Sequence, residues 1–341
     1  MKILFFDAKK YEVDYFLQKS SLKNNIFLFK EEPLLNSAQI KDNYVDVEIL
    51  SIFTSSRLSA DILSKFKNLK LITTRSVGYS HIDIEYCKKN NIFIANTPHY
   101  GDNTVSEFAF ALLLNLIRKI TRVTNSFKHC ECKPNYTGIE LYRKTIGIIG
   151  VGAIGSKSVR IAHGFGMNIL CNDILENKDL IDKYNVTYTD IKTLCAKSDF
   201  IFLHAPLTME NYHLLNNEIF NIINKNAIIV NTARGELIDT KALYNALVNN
   251  KIKGAALDVI ECEEFFNPIF DYFDEFVENC SECIRKTLLN HLLSNFENVI
   301  ITPHIAYDTQ DAILRILTIT EQTLKEYINK EKMTYLLNLH K

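Results

Sequence analysis

Short apolar runs of strand length alternate along the chain with stretches whose apolar residues recur every three or four positions. The first hundred residues carry KILFF at 2–6, EILSIF at 48–53, LKLITT at 69–74 and NIFIAN at 91–96, with VDYFLQK, SADILSKF and IDIEYCKK between them. The first set reads as strands and the second as helices. Such alternation predicts a parallel sheet covered by helices. Thr97-Pro98 interrupts it, because proline cannot continue a ladder, and a domain boundary falls near residue 100.

Thr104-Val105-Ser106-Glu107 has the form of a capping box and predicts a helix start. The helix that follows, FAFALLLNLIRKIT, is apolar almost all round, so it packs either between domains or within one core. From residue 145 the alternation restarts with TIGIIG, a helix over about 153–164, MNILCND, VTY, DFIFLHA, AIIVNTA, GAALDV and ENVIIT. These near-continuous apolar runs suit parallel strands buried on both faces. The final AILRILTITEQTLKEYI reads as a helix free to return to the first domain.

Composition narrows the class. A length of 341 residues suggests about two domains, and 47% hydrophobic with 23% charged residues excludes disorder, collagen and coiled coil. Lys plus Arg of 39 against Asp plus Glu of 40 leaves a net charge of -1, too balanced for the basic field of a nucleic-acid binder. Asp7 interrupts any signal-peptide core, and no apolar run approaches the roughly 18 residues of a membrane span, so a cytoplasmic protein is expected. Eight cysteines are too sparse for a disulfide scaffold, and reduced thiols are expected. Cys130-x-Cys132 and Cys280-x-x-Cys283, with His129 and His291 nearby, offer four thiolates for a zinc ion. Nothing in the sequence brings the two pairs together, and no metal is expected.

Glycine is scarce, yet six of the 11 glycines fall between Gly147 and Gly166. They include Gly150-x-Gly152-x-x-Gly155, directly after a predicted strand and before a predicted helix. The first glycine permits the tight turn, the second lets backbone approach a pyrophosphate, and the third lets helix and strand pack. The helix N-terminus at Ala153 and Ile154 supplies amides and dipole for the phosphate charge. The next strand ends at Asp173, eighteen residues after Gly155, where an acid accepts hydrogen bonds from ribose hydroxyls and repels a 2′-phosphate. NAD is the expected cofactor.

Three further strands end in polar residues, where open α/β sheets bind ligands. IIVNTARG ends at Arg234, GAALDVIECE runs from Asp258 to Glu263, and VIITPH ends at His304. Each alone has an ordinary explanation as a surface charge or loop residue. Their joint occurrence downstream of the glycine turn points to chemistry.

Whole phrases, TRSVGYSHIDIEYCKKNNI, NTPHYGDNTVSEFAFALLL, GIIGVGAIG, INKNAIIVNTARGELIDT, LDVIECE and NVIITPHIAYDT, occur in this order. In this the chain resembles the NAD-dependent D-2-hydroxyacid dehydrogenases, most closely their D-lactate dehydrogenase branch. The resemblance implies a Rossmann dinucleotide-binding domain at 100–305 inserted in a flavodoxin-like substrate domain formed by 1–99 plus 306–341, with the active site in the cleft. It makes His304 the general acid, Glu263 its partner and Arg234 the anchor of the substrate carboxylate. The chemistry agrees, since reducing a 2-keto acid puts a proton on the carbonyl oxygen, a neighbouring carboxylate favours imidazolium, and guanidinium is a planar fork for carboxylate. It further implies substrate contacts at Val77, Gly78, Tyr100 and Tyr307, and cofactor contacts at His204, Pro206, Thr232, Ala233 and Asp258. A homodimer or higher homo-oligomer, a small 2-keto or 2-hydroxy acid as substrate and a role in fermentation complete the expectation.

Two departures bear on the substrate. Asp308 stands where close relatives often carry Tyr, and Thr54-Ser55 occupies a loop where lactate-type members often place an aromatic, which leaves room for a bulkier keto acid. The Phe-rich insertion over 264–296 is a lid, a contact surface or a segment packed on its own domain. Rival readings are a glyoxylate or hydroxypyruvate reductase, a phosphoglycerate dehydrogenase and an NADH-sensing corepressor on the same scaffold. The second is disfavoured because only about 37 residues follow His304. Formate dehydrogenase is disfavoured because Glu263 is present.

Overall fold

The computed structural model describes residues 1–22, 24–129, 136–263 and 281–337. The chain divides into two compact units, Met1–Tyr100 with Thr309–Lys341, and Gly101–Asp308.

In the first unit five strands form one parallel sheet: β1 (Lys2–Phe5), β2 (Ile26–Phe29), β3 (Ile49–Ile52), β4 (Leu71–Thr74) and β5 (Phe93–Ala95), in the order β2-β1-β3-β4-β5. β3 and β4 are buried along their whole length, as central strands covered on both faces must be. One face packs Leu4, Leu50 and Ile72 against Ile62, Leu63 and Phe66. The other packs Ile3, Phe5 and Leu71 against Leu317 and Leu324 of the helix Gln310–Ile328. Thr309 starts that helix by accepting a hydrogen bond from the Ala312 amide. β2 is an edge strand with Ile26 exposed, and nothing in the sequence periodicity had marked it.

The second unit holds seven parallel strands: β6 (Thr145–Ile149), β7 (Asn168–Asn172), β8 (Thr187–Tyr188), β9 (Phe200–Leu203), β10 (Ile228–Asn231), β11 (Gly254–Leu257) and β12 (Val299–Ile301). Their order is β12-β11-β10-β9-β6-β7-β8, so the winding reverses between β6 and β9. The two strands' following loops diverge there, which opens a crevice at their C-terminal ends. Two apolar cores, one on each face, sandwich the sheet.

The helix Asp102–Arg118 contributes Ala109, Phe110, Leu112, Leu113 and Ile117 to the core of its own unit, with Phe110 and Phe202 ring centroids 4.9 Å apart. It corrects the expected capping box. The helix starts at Asp102 with Gly101 at its cap, so Thr104 lies buried inside the first turn while Asp102 supplies the favourable negative charge there. Of the insertion, 264–280 lies outside the described residues. The helix Ser281–Ser294 packs on its own unit through Leu293, fully buried among Leu243, Leu247 and Val299.

The cysteines need a second correction. Cys262 and Cys283 are joined as a disulfide, against the expectation of reduced thiols throughout. Spacing had singled out Cys280 with Cys283, but a contact across 21 residues of sequence leaves no local signature. Cys87, Cys171 and Cys195 are buried free thiols, while Cys130, Cys132 and Cys280 lie outside the described residues. No described group of His, Cys, Asp and Glu could hold a metal ion, and no described helix is long and apolar enough to cross a membrane.

Candidate active site

The turn after β6 is built by exclusion. Gly150 has φ of 86°, and a Cβ there would lie 2.3 Å from the Ala205 amide nitrogen, so only glycine fits. At Gly155 a Cβ would come within 2.0 Å of the Gly150 carbonyl oxygen, which is how strand and helix approach so closely. Gly152 is different. Nothing lies within 4 Å of its Cβ position, so the fold itself leaves this space open. It caps the helix Ala153–Gly164 without any side-chain hydrogen bond to the first-turn amides. An open cradle over uncapped helix amides fits a pyrophosphate.

Asp173 follows β7 on the same crevice. Its Oδ2 accepts a hydrogen bond from the Val151 amide at 2.5 Å and its Oδ1 one from the Leu175 amide at 3.3 Å. A groove lined by Val151, Gly152, Asp173, Leu175, Glu176 and Asn177 runs from the glycine turn past this carboxylate. These residues fit the adenosine half of a dinucleotide. His204, just beyond β9, has Nε2 2.8 Å from Ser158 Oγ and Nδ1 3.4 Å from Thr232 Oγ1. Its packed surroundings push the imidazole down to about 4, so it is neutral at neutral pH. Pro206 is exposed, and its carbonyl accepts a bond from Asn211 Nδ2.

The ends of β10, β11 and β12 bring together the other expected residues. His304 Nδ1 lies 2.8 Å from Glu263 Oε1, with both side chains about two-fifths exposed, at 37% and 40%. Burial opposes a charged His304, but the hydrogen bond and charge of Glu263, aided by Asp258, outweigh it against the opposing charge of Arg234. The net effect raises the imidazole above the ordinary histidine range. His304 itself has φ of 54°, a left-handed backbone that non-glycine residues adopt only when their surroundings impose it.

Those surroundings are supplied by Asp258, which is 1% exposed. Its Oδ1 accepts hydrogen bonds from Thr302 Oγ1 at 2.6 Å and the Ile305 amide at 3.0 Å, and its Oδ2 one from the Ala306 amide at 2.8 Å. The His304 amide also donates to the Asp258 carbonyl at 2.9 Å. Asp258 thereby pins the turn that carries His304 and, three residues on, the half-buried Tyr307. Buried Asn231 does the same for the exposed Arg234, accepting from the Ala233 amide at 3.0 Å and donating to the Arg234 carbonyl at 2.8 Å. The cue for Asn231 was present in the sequence, since Asn at a strand end bonds backbone a few residues on, whereas the partners of the Asp258 carboxylate lie 44 to 48 residues further along the chain.

Glu261 carried no such cue. It is 1% exposed and lies 2.9 Å from Lys286 Nζ and 2.8 Å from His213 Nε2, while its Oε2 accepts from the Thr240 amide and hydroxyl. Val77, Gly78 and Tyr100 belong to the other unit. Val77 and Gly78 form the loop after β4, where Asn96 Nδ2 holds the Val77 carbonyl at 2.9 Å and Ser76 Oγ the Gly78 carbonyl at 2.6 Å. Tyr100 is buried, and its carbonyl accepts from Arg315 Nε at 2.8 Å.

A doubly wound sheet with a dinucleotide cradle, and a paired histidine at a neighbouring strand end, define a nicotinamide-dependent oxidoreductase. The family model for the NAD-binding domain of D-isomer specific 2-hydroxyacid dehydrogenases matches residues 110–306, and the chain belongs to this family. D-3-phosphoglycerate dehydrogenase of Methanocaldococcus jannaschii is 36% identical over 307 residues, 89% of this chain. This chain spans about half of that relative, 54% of its length. Aromatic 2-oxoacid reductase of Clostridium sporogenes is 35% identical over 338 residues, 96% of each chain. Among solved structures, D-lactate dehydrogenase of Aquifex aeolicus, complexed with NAD and lactic acid, superposes with a TM-score of 0.84 at 34% identity over 96% of each chain.

Proposed function

We propose that this NAD-dependent 2-hydroxyacid dehydrogenase reduces pyruvate to D-lactate. The observation that carries the reading is the 2.8 Å pair of His304 and Glu263, which raises the imidazole and keeps a proton at Nε2 for a carbonyl oxygen. The named similarity to a D-lactate dehydrogenase supports the choice of acid.

Bound NADH supplies the hydride to the keto carbon. His304 gives its proton to the carbonyl oxygen as negative charge develops there, and Glu263 stabilises the imidazolium beforehand. Arg234 holds the substrate carboxylate with its planar fork, joined by the backbone amides of Val77 and Gly78. Tyr100 and Tyr307 shape the space around the substrate's small side chain. Asp173 takes the ribose hydroxyls, and Gly150, Gly152 and Gly155 with Ala153 and Ile154 seat the pyrophosphate. His204, Pro206, Thr232, Ala233 and Asp258 line the remainder of the cofactor. A cytoplasmic homodimer serving fermentation belongs to the same proposal.

A second reading takes a bulkier 2-keto acid, favoured by Thr54-Ser55 in place of an aromatic and by the similarity to an aromatic 2-oxoacid reductase. NADH oxidation by the purified protein with pyruvate, glyoxylate, hydroxypyruvate, phenylpyruvate and 2-ketoisocaproate, followed by chiral analysis, separates the two. Pyruvate-preferring turnover to the D product supports the first reading, and preference for phenylpyruvate or 2-ketoisocaproate supports the second. NADH binding without turnover of any acid overturns both in favour of a sensor.

A further inference from the structure

The helix Ser281–Ser294 turns one face, Cys283, Lys286 and Asn290 at spacings of three and four, toward the segment 261–263. All three grip it. Cys283 is bonded to Cys262 with Cα atoms 5.8 Å apart, Lys286 Nζ meets the Glu261 carboxylate at 2.9 Å, and Asn290 Nδ2 donates to the Glu261 carbonyl at 2.9 Å. Glu261 is held again from the other side by His213 and Thr240. Two residues further on, Glu263 reaches His304.

Cys262 links the anchored carboxylate to the active one. Its backbone is left-handed, with φ of 54°, a conformation a non-glycine residue leaves when nothing holds it there. It and Cys283 are half-buried. The free thiols Cys87, Cys171 and Cys195 are instead buried, and burial pushes each up to about 12, which makes them poor nucleophiles.

We propose that Cys262–Cys283 is a reversible thiol–disulfide site that sets how Glu263 is presented to His304. The proposal rests on His304 being the proton donor. Two equivalents of a small thiol, or one dithiol, break the sulfur–sulfur bond; two S–H bonds form on Cys262 and Cys283, and the reagent leaves as its disulfide. Two electrons and two protons pass to the protein. Glu261 stays fixed by Lys286, Asn290, His213 and Thr240, so the fold survives. Cys262 is released from its left-handed backbone, and Glu263 loses its register against the imidazole. Of the charged groups acting on His304, Asp258 then remains to favour imidazolium, opposed by Arg234 and by burial.

The test uses the full chain in three forms: oxidised, reduced with dithiothreitol, and the Cys262→Ser/Cys283→Ser double variant. Maleimide alkylation with peptide mass spectrometry reads the bond directly. Cys262 and Cys283 of the oxidised form should label only after reduction. Reduction should lower keto-acid turnover about three- to tenfold near pH 8 and much less near pH 6, with NADH affinity unchanged, as expected when one carboxylate's support of an imidazolium weakens. The double variant should match the reduced protein and ignore dithiothreitol. Labelling of both cysteines without reductant, or one pH profile common to all three forms, overturns the proposal. If no keto acid is turned over, the oxidoreductase reading has failed separately, and NMR titration of His304 in the oxidised and reduced forms still decides this one.

Discussion

The two units each place an acid–base ion pair beyond the ends of parallel strands, and they use it in opposite ways. In the first unit Arg75 Nε lies 2.7 Å from Glu12, with side chains 1% and 5% exposed. The guanidinium also donates to Ser51 Oγ and to the carbonyl oxygens of Phe6 and Asp7, and it stacks over Phe5. It serves to tie β1, β3 and β4 together. In the second unit His304 and Glu263 sit at a similar distance but about two-fifths exposed. A pair closed on every side holds structure; a pair left open on one side can exchange a proton.

The contrast predicts effects on different observables. His304→Ala should cut turnover by about 10²–10⁴-fold, the usual weight of a positioned proton donor, with NADH affinity and melting temperature nearly unchanged. A variant that turned over normally would remove the second pair from the chemistry. Arg75→Met should do the reverse, costing about 3–5 kcal/mol in urea unfolding because Glu12, still bonded to the Lys9 amide, is left buried without its counter-charge. Glu12→Gln, which keeps an acceptor beside Arg75, should cost less, about 1–3 kcal/mol, in the same experiment. Equal losses in these two variants would show that the charge, rather than the polar contact, is what the site requires.

The smallest effect is on pH dependence. Reduction needs the imidazolium, and the folded pKa of His304 is raised, so the reductive rate should hold above the ordinary histidine range and fall as pH rises through the shifted value. Glu263→Gln should move that alkaline limb to lower pH, about a tenfold loss near pH 8 and little change near pH 6. An unmoved limb would mean that Glu263 does not set the proton affinity of His304. The oxidative direction uses neutral imidazole and should respond with the opposite sign.

Which parts of this were legible in the sequence follows from the range of the interactions. The strands of the second sheet stand as near-continuous apolar runs because both faces are covered, and Gly150, Gly152, Gly155 and Asp173 recur at spacings set by one turn and one strand. Arg234 and His304 were visible as polar residues at strand ends. Edge strand β2, with its pattern of partial exposure, carried no alternation to find. Arg75, Glu261 and Cys262 acquire their meaning from partners 20 to 70 residues away, such as Glu12, Lys286 and Cys283. Local periodicity cannot report such partners, so a buried charge reads as an ordinary surface one until the chain is folded.

The three glycines of the cofactor turn divide in a way that matters for genetics. Gly150 and Gly155 are required by the protein's own backbone, and an alanine at either removes the chain along with its activity. Gly152 faces empty space, so its side chain is withheld for a visitor rather than for the fold. An allele carrying alanine there is expected to keep the protein present and folded while hindering the proposed dinucleotide seat. In a cell, it separates the consequences of lost catalysis from those of a missing protein.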